Sequence, residues 1–202
     1  MHRTSSDNAR RFLFLLTSSR RGGNSEALAQ HAAGALGDNV EQHWLRLLDL
    51  ALPAFVDIRH EGDGTYPTPD AAGAEILQAT LDATDIVFVS PLYWYGLPAL
   101  AKHYLDHWSG WMRIPGIDFA DRMAGKRLWA ITALSDEDYS AADPLIGTLK
   151  LTASYLRMHW AGVLFGFGNR PSEVLSDGDA LSRADTFFAH PGAPGSARMA
   201  HD

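Results

Sequence analysis

The sequence predicts a doubly wound α/β fold, a five-stranded parallel sheet in the order 2-1-3-4-5 with helices on both faces. Three observations carry that reading. Apolar runs such as Phe12-Leu13-Phe14-Leu15-Leu16 and Ile86-Val87-Phe88-Val89 are uninterrupted, as suits strands buried on both faces. Five such runs alternate with stretches of helical character, the pattern of successive βα units. Right-handed crossovers then leave few topologies, and the five-strand form commonly takes this order.

The elements follow in turn. The first strand is expected over 11–17 and is broken by Arg, Gly and small polar residues at 18–24. An Ala-rich helix over 25–36 follows, with Gly37 as its C-terminal stop. A weaker second strand at 40–48 leads into a loop over 52–69, long enough to mark function or mobility. Pro69-Asp70 opens a helix that runs through Ala83. Residues 85–90 are the clearest strand and end at Pro91. A helix over 98–109 starts with Pro98 in its first turn, where the missing N–H costs little. The fourth strand is expected at 126–133, a helix at 144–159, the fifth strand at 162–168, and a last helix within 173–188. The chain thus divides into a flexible N-terminal segment at 1–10, one domain over 11–188, and a flexible Gly/Pro/Ala-rich tail at 189–202.

Composition narrows the classes of function. At 202 residues, with 46% hydrophobic and 20% charged residues, the chain suits a single soluble domain. Its formal net charge of -7 gives no support for a nucleic-acid partner held by bulk electrostatics. The absence of cysteine excludes disulfides, Cys-ligated metals and thiol nucleophiles. Residues 1–10 lack the apolar centre of a signal peptide, and no apolar run approaches the length of a bilayer span. A soluble cytoplasmic protein with no membrane partner is expected.

The strand order puts the C-terminal ends of the first and third strands side by side at the topological switch point, where ligands bind. Two loops meet there. Thr17-Ser18-Ser19-Arg20-Arg21-Gly22-Gly23-Asn24-Ser25 joins a buried strand to a helix N-terminus, whose free N–H groups and dipole favour a phosphate. Ser18, Asn24 and Ser25 offer side-chain donors, Arg20 offers a charge, and Gly22-Gly23 lets the backbone fold closely around an anion. It is neither a Walker loop nor GxGxxG. For the loop alone, a helix cap at Asn24 or Ser25 competes with the phosphate reading.

The other loop, Pro91-Leu92-Tyr93-Trp94-Tyr95-Gly96-Leu97-Pro98, sets three consecutive aromatics between two prolines where an ordinary turn is small and polar. Aromatic faces and free N–H groups suit a flat heteroaromatic ring with polar edges, and the prolines with Gly96 are expected to fix the loop's shape. Core packing or a dimer interface is the competing reading, and the two can coexist. Elsewhere, His103 and His107 lie four apart on a predicted helix, a spacing able to bind metal on one face. No third ligand is in register, so a packing role is expected and no metal is assigned. Asp177-Gly178-Asp179 lacks the EF-hand spacing and reads as a turn and helix cap.

Together, the first loop and Ser90-Pro91-Leu92-Tyr93-Trp94-Tyr95-Gly96-Leu97-Pro98-Ala99-Leu100-Ala101-Lys102 resemble the NAD(P)H-dependent FMN reductase and quinone reductase family of the flavodoxin-like superfamily, over roughly 11–188. The resemblance implies a flavodoxin-like fold, FMN as cofactor and NADH or NADPH as electron donor. It implies hydride passing through flavin to a quinone, free flavin or similar small-molecule electron acceptor. By motif it places Ser18, Arg20, Asn24 and Ser25 at the FMN phosphate, and Pro91, Leu92, Tyr93, Trp94, Tyr95 and Gly96 at the ring. Catalytic residues stay unassigned, since no side-chain nucleophile is required; backbone N–H groups at 93–96 could stabilise charge on the reduced ring, and Tyr95 could donate a proton.

A homodimer or higher homo-oligomer is also implied, with Trp108, Trp111 and Met112 extending an apolar patch. The alternative is a flavodoxin-type electron-transfer protein without NAD(P)H turnover, but such carriers use a Thr-rich phosphate loop where this chain has Arg20-Arg21. One stretch departs from the family pattern. A Gly-rich turn after the fourth strand is replaced by Ala133-Leu134-Ser135-Asp136-Glu137-Asp138-Tyr139, whose acidic side chains are expected to face solvent or precede the next helix.

Overall fold

In the computed structural model, which describes residues 9–136, 138–189 and 191, five strands form one sheet. They are β1 (Arg11–Leu16), β2 (Glu41–Arg46), β3 (Asp85–Val89), β4 (Arg127–Leu134) and β5 (His159–Phe167). All pairings are parallel and the order is β2-β1-β3-β4-β5, the topology expected from the apolar runs. The expectations for residues 1–8, 190 and 192–202 lie outside the described residues.

Side chains alternate across a strand, and here both faces are apolar. Leu13 and Leu15 of β1 and Ile86 and Phe88 of β3 pack with α2 (Ala71–Asp82), α3 (Ala99–Trp111), α4 (Phe119–Met123) and α5 (Asp143–Tyr155). Phe12, Phe14, Leu16, Val87 and Val89 face the opposite layer, made by α1 (Asn24–Gly34) and α6 (Gly178–Ala184). Each fully buried Leu or Phe in these layers contributes about 1.5–3 kcal/mol. β2 read weakly because it is an edge strand whose first three residues are exposed. No helix among the described residues is long and apolar enough to cross a membrane.

Local chemistry sets the helix ends. Asp70 caps α2 by accepting from the Gly73 N–H at 3.0 Å, and Asp177 caps α6 by accepting from the Ala180 N–H at 2.9 Å. The Asp177 cap is the role its sequence context indicates. The boundary expected near residue 160 is wrong. α5 ends at Tyr155, and β5 starts at His159, so the tail of the predicted helix is a turn over 156–158 and the first strand residue. The stop is a Schellman turn in which Arg157 takes the left-handed position (φ 55°), the Met158 N–H reaches Ala153 O, and the Arg157 N–H reaches Ser154 O. That position usually carries Gly or Asn, so no stop was visible. The short α4 was also not anticipated.

Trp108 and Trp111 correct another expectation. Both are buried in the core beneath α3 and offer no patch at the helix end. At the opposite end of the sheet from the ligand crevice, the fully buried Asp85 accepts from Arg10, Arg127, Trp129 and Thr84. Burial opposes its ionisation, yet the hydrogen bonds from Arg127, Arg10, Trp129 and Thr84 outweigh it and hold the carboxyl at about 2. Arg10, assigned from sequence to the N-terminal segment, is therefore anchored in the fold, and it also donates to Phe188 O at 2.7 Å.

The long loop over 52–69 is laid along α3. The Tyr66 hydroxyl accepts from the Ile58 N–H at 2.8 Å and donates to Asp57 at 3.1 Å. Its ring lies against Gly110 so closely that a Cβ there would sit 2.7 Å from Tyr66 Cδ1.

Candidate functional site

At the crest of β1, Thr17 is buried and donates both its N–H (3.0 Å) and its hydroxyl (3.2 Å) to Val89 O. This ties the exits of β1 and β3 together before the chain turns. Gly22 then takes a left-handed conformation (φ 64°), open to glycine at little steric cost. α1 starts after Gly23, with no side chain capping it. Its first intrahelical bond runs from the Ala27 N–H to Gly23 O, so the N–H groups of Asn24, Ser25 and Glu26 lack intrahelical partners. The capping role considered for Asn24 or Ser25 is not what the chain uses. The helix presents an open N-terminus to a crevice lined by Leu16, Ser18, Arg20, Gly23, Pro91 and Ala133.

The two neighbouring arginines have different surroundings. Arg21 pairs with Asp49 at 2.5 Å. Arg20 has no carboxylate partner among the described residues, and its guanidinium hangs over Gly23, with Nη2 3.9 Å from where a Cβ would stand. Glu26, in the first turn of α1, accepts from the Gly22 N–H at 3.0 Å and pairs with Arg46 at 2.6 Å. Burial works against its charge, but Arg46 and the Gly22 N–H prevail and keep its pKa below the usual carboxylate range.

The other two residues expected at the phosphate face inward. Asn24 donates to Gly168 O at 2.8 Å and accepts from the Val174 N–H at 3.4 Å, holding α1 against the chain after β5. Ser25 Oγ accepts from the Ala133 N–H at 3.0 Å, holding α1 against the end of β4. Both are buried and border the crevice, where they set the position of the helix N-terminus.

The aromatic loop lies directly opposite. Tyr93 and Gly96 exchange backbone hydrogen bonds of 3.3 and 3.1 Å, which closes a two-residue turn. Trp94 (φ 49°) and Tyr95 (φ 63°), and not Gly96, occupy its left-handed positions. Positive φ at both central residues is the type I′ pattern, normally Asn-Gly; for side-chain-bearing residues the left-handed region costs about 1–2 kcal/mol each. Trp94 is 95% exposed and Tyr95 61%. The turn therefore spends conformational energy to hold two aromatic rings out in solvent, and strain of this kind gathers at functional sites. Because Tyr93 and Gly96 use their N–H groups on one another, those of Trp94 and Tyr95 have no backbone partner among the described residues.

The Tyr93 hydroxyl reaches across to the first loop, 3.4 Å from Ser18 Oγ, which itself accepts from the Arg20 N–H at 3.0 Å. Hydrogen bonding to Ser18 and then Ser19 lowers the Tyr93 pKa against partial burial, helped by the Arg20 charge. Of the acidic turn after β4, Asp136 accepts from the Asp138 N–H, and Asp138 accepts from the Ser140 N–H and hydroxyl. These carboxylates shape their own turn; Glu137 lies outside the described residues. No sequence motif announced Glu26, Arg46 or Thr17, whose roles depend on strand neighbours far along the chain.

Fold and site define a doubly wound α/β protein with an uncapped helix N-terminus after its first strand and a strained aromatic turn after its third. The chain belongs to the flavodoxin-like fold family, whose model matches residues 10–185. It is 31% identical over 166 residues to a Bacillus subtilis (strain 168) protein named as an NAD(P)H-dependent FMN-containing oxidoreductase, YwqN, covering 82% of this chain and 89% of the relative. The solved structure of the Trp repressor binding protein from Bacillus subtilis superposes with a TM-score of 0.66 at 25% identity, over 88% of this chain and 97% of that one. An FMN-dependent NADH-azoreductase from Bacillus anthracis, solved with FMN, shares the fold with a TM-score of 0.65 at 18% identity, over 89% of this chain and 98% of that one.

Proposed function

We propose that this chain is an NAD(P)H-dependent FMN oxidoreductase that passes reducing equivalents from NADH or NADPH to a quinone, free flavin or similar small acceptor. The observation that carries the reading is the pairing of Arg20, without a carboxylate partner among the described residues, at an uncapped helix N-terminus with an exposed Trp94-Tyr95 turn across one crevice. The relative named as an NAD(P)H-dependent FMN-containing oxidoreductase supports the same activity over most of both chains.

The residues present fit FMN. Its phosphate is held by Arg20, the Ser18 hydroxyl and the N–H groups at the start of α1, a charge-assisted set on a helix dipole. Asn24 and Ser25 contribute by fixing that helix end and through their backbone N–H groups. The ring is held by Pro91, Leu92, Tyr93, Trp94, Tyr95 and Gly96, with the free N–H groups of Trp94 and Tyr95 available to its polar edge. When bound, FMN supplies the hydride chemistry. The chain's own work is binding, orientation and electrostatic stabilisation: donors fixed before the ligand arrives cost no reorganisation. Proton donation by the exposed Tyr95 hydroxyl belongs to the same reading.

The single test is the purified protein's absorption spectrum followed by NADH and NADPH oxidation with a quinone. Flavin bands and turnover are expected. Flavin bands without turnover with either nucleotide would instead identify an electron carrier. A single domain over 11–188 and assembly as a homodimer or higher homo-oligomer belong to the same reading. Leu151 and Tyr155, one turn apart on α5 and each 74% exposed, support the latter as an apolar pair left uncovered by the described residues. Light scattering showing a monomer at micromolar concentration would reject the assembly.

A further inference from the structure

His103 and His107 lie on successive turns of α3, away from the crevice, and the oxidoreductase reading leaves them without a task. Their Nε2 atoms stand 3.2 Å apart. Each also faces one atom contributed by the long loop, the carbonyl oxygen of Pro53, at 2.8 Å from His103 Nε2 and 3.0 Å from His107 Nε2. Two ring nitrogens and one carbonyl oxygen, from two separate parts of the chain, thus close a triangle with sides of 2.8, 3.0 and 3.2 Å. Donors sharing one zinc-sized ion at about 2.0–2.1 Å, in tetrahedral or octahedral angles, stand about 2.8–3.4 Å from one another.

The Pro53 carbonyl has two lone pairs and can accept from both Nε2–H groups. Where both Nε2 atoms are bare, three lone pairs face one another, and a cation at the centre answers all three. The i, i+4 spacing on a helix is the one that places two imidazoles on a common metal. Phe55 lies edge-on to the His107 ring at 5.7 Å and Trp111 is tilted against it at 6.1 Å, which orients this imidazole. Both histidines are half-buried, so water has access to complete the coordination. Among the described residues no group of three or more His, Cys, Asp or Glu side chains converges; the third donor here is a main-chain oxygen, which no side-chain pattern contains.

We propose that His103 Nε2, His107 Nε2 and the Pro53 carbonyl bind a divalent transition-metal ion of the zinc, nickel or cobalt class, which fastens the 52–69 loop to α3. Imidazole-rich sites select these metals over magnesium or calcium. The site is structural and makes no demand on the hydride chemistry.

The test uses the full, tag-free protein after chelator treatment, titrated with zinc against a chromophoric competitor. One equivalent is expected to bind, and His103→Gln and His107→Gln should each weaken binding by about tenfold or more, while His31→Gln, whose partner Asp185 lies elsewhere, leaves it unchanged. In the unsubstituted protein, zinc should also slow hydrogen exchange in 52–69, a reading that does not depend on how the variants fold. Magnesium should do neither. Absence of binding at about a hundredfold excess of zinc, or equal binding by the His103→Gln/His107→Gln double variant, would overturn the proposal. FMN content and NAD(P)H turnover are read separately, so failure here leaves the oxidoreductase reading standing, and the reverse.

Discussion

Ser18 Oγ and Tyr93 Oη stand 3.4 Å apart although 75 positions separate them in the chain. This contact brings the first loop against the aromatic turn at the crevice. Tyr93→Phe removes the bridging hydroxyl and keeps the ring. FMN affinity should fall by about 0.5–1.5 kcal/mol, the net worth of one hydrogen bond. Fluorescence titration with the flavin measures it, and unchanged affinity would show that the bridge plays no part in binding.

Arg20 and Arg21 should behave differently despite their adjacency. Arg20→Ala should weaken FMN binding by about 1.5–3 kcal/mol, as for the loss of a charge-assisted hydrogen bond. Arg21→Ala breaks an exposed pair with Asp49, worth about 0–1 kcal/mol to stability, and should leave flavin affinity unchanged. Equal losses of affinity in the two variants would remove Arg20 from the phosphate site.

The strained turn offers a trade between stability and function. Replacing Trp94-Tyr95 with Asn-Gly supplies the residues a type I′ turn prefers. The flavin-free protein should gain about 1–2 kcal/mol in denaturant unfolding, while flavin affinity and turnover fall together. A variant that gained stability and kept full turnover would show that these rings do not touch the reacting partners.

Asp85 sets the acid limit of the fold. Its folded-state value of about 2 lies below the ordinary 3.8. Its contribution is therefore fully present above about pH 4 and is lost as pH falls through about 2; the shift corresponds to roughly 2 kcal/mol. Asp85→Asn leaves Arg10 and Arg127 facing a neutral group and should cost about 3–5 kcal/mol. Its unfolding free energy should also vary less between pH 4 and 2 than that of the parent protein. An unaltered pH profile would show that another group controls acid unfolding.

Much of this fold was legible because its strands are buried on both faces. Phe12 to Leu16 and Ile86 to Val89 admit no polar residue, so periodicity marked them at once. The end of α5 was not legible, because Arg157 occupies a conformation that sequence signals associate with glycine. The site followed the same division. The candidate site's location was read from strand order, and its aromatic loop from the oddity of three rings between prolines. The inward bonds of Asn24 and Ser25 were invisible, since their partners, Gly168 O and the Ala133 N–H, are main-chain atoms more than a hundred positions away. Main-chain atoms carry no sequence signature. The same blindness hid the Pro53 carbonyl between the two histidines.

Glu26 separates two tasks within the first loop. Its carboxylate already occupies the Gly22 N–H, and Arg46 already balances its charge. The tip of the first loop is thus held by an internal anion. Loop shape and spare charge are carried by different residues, Glu26 with Arg46 for the first and Arg20, which has no carboxylate partner among the described residues, for the second.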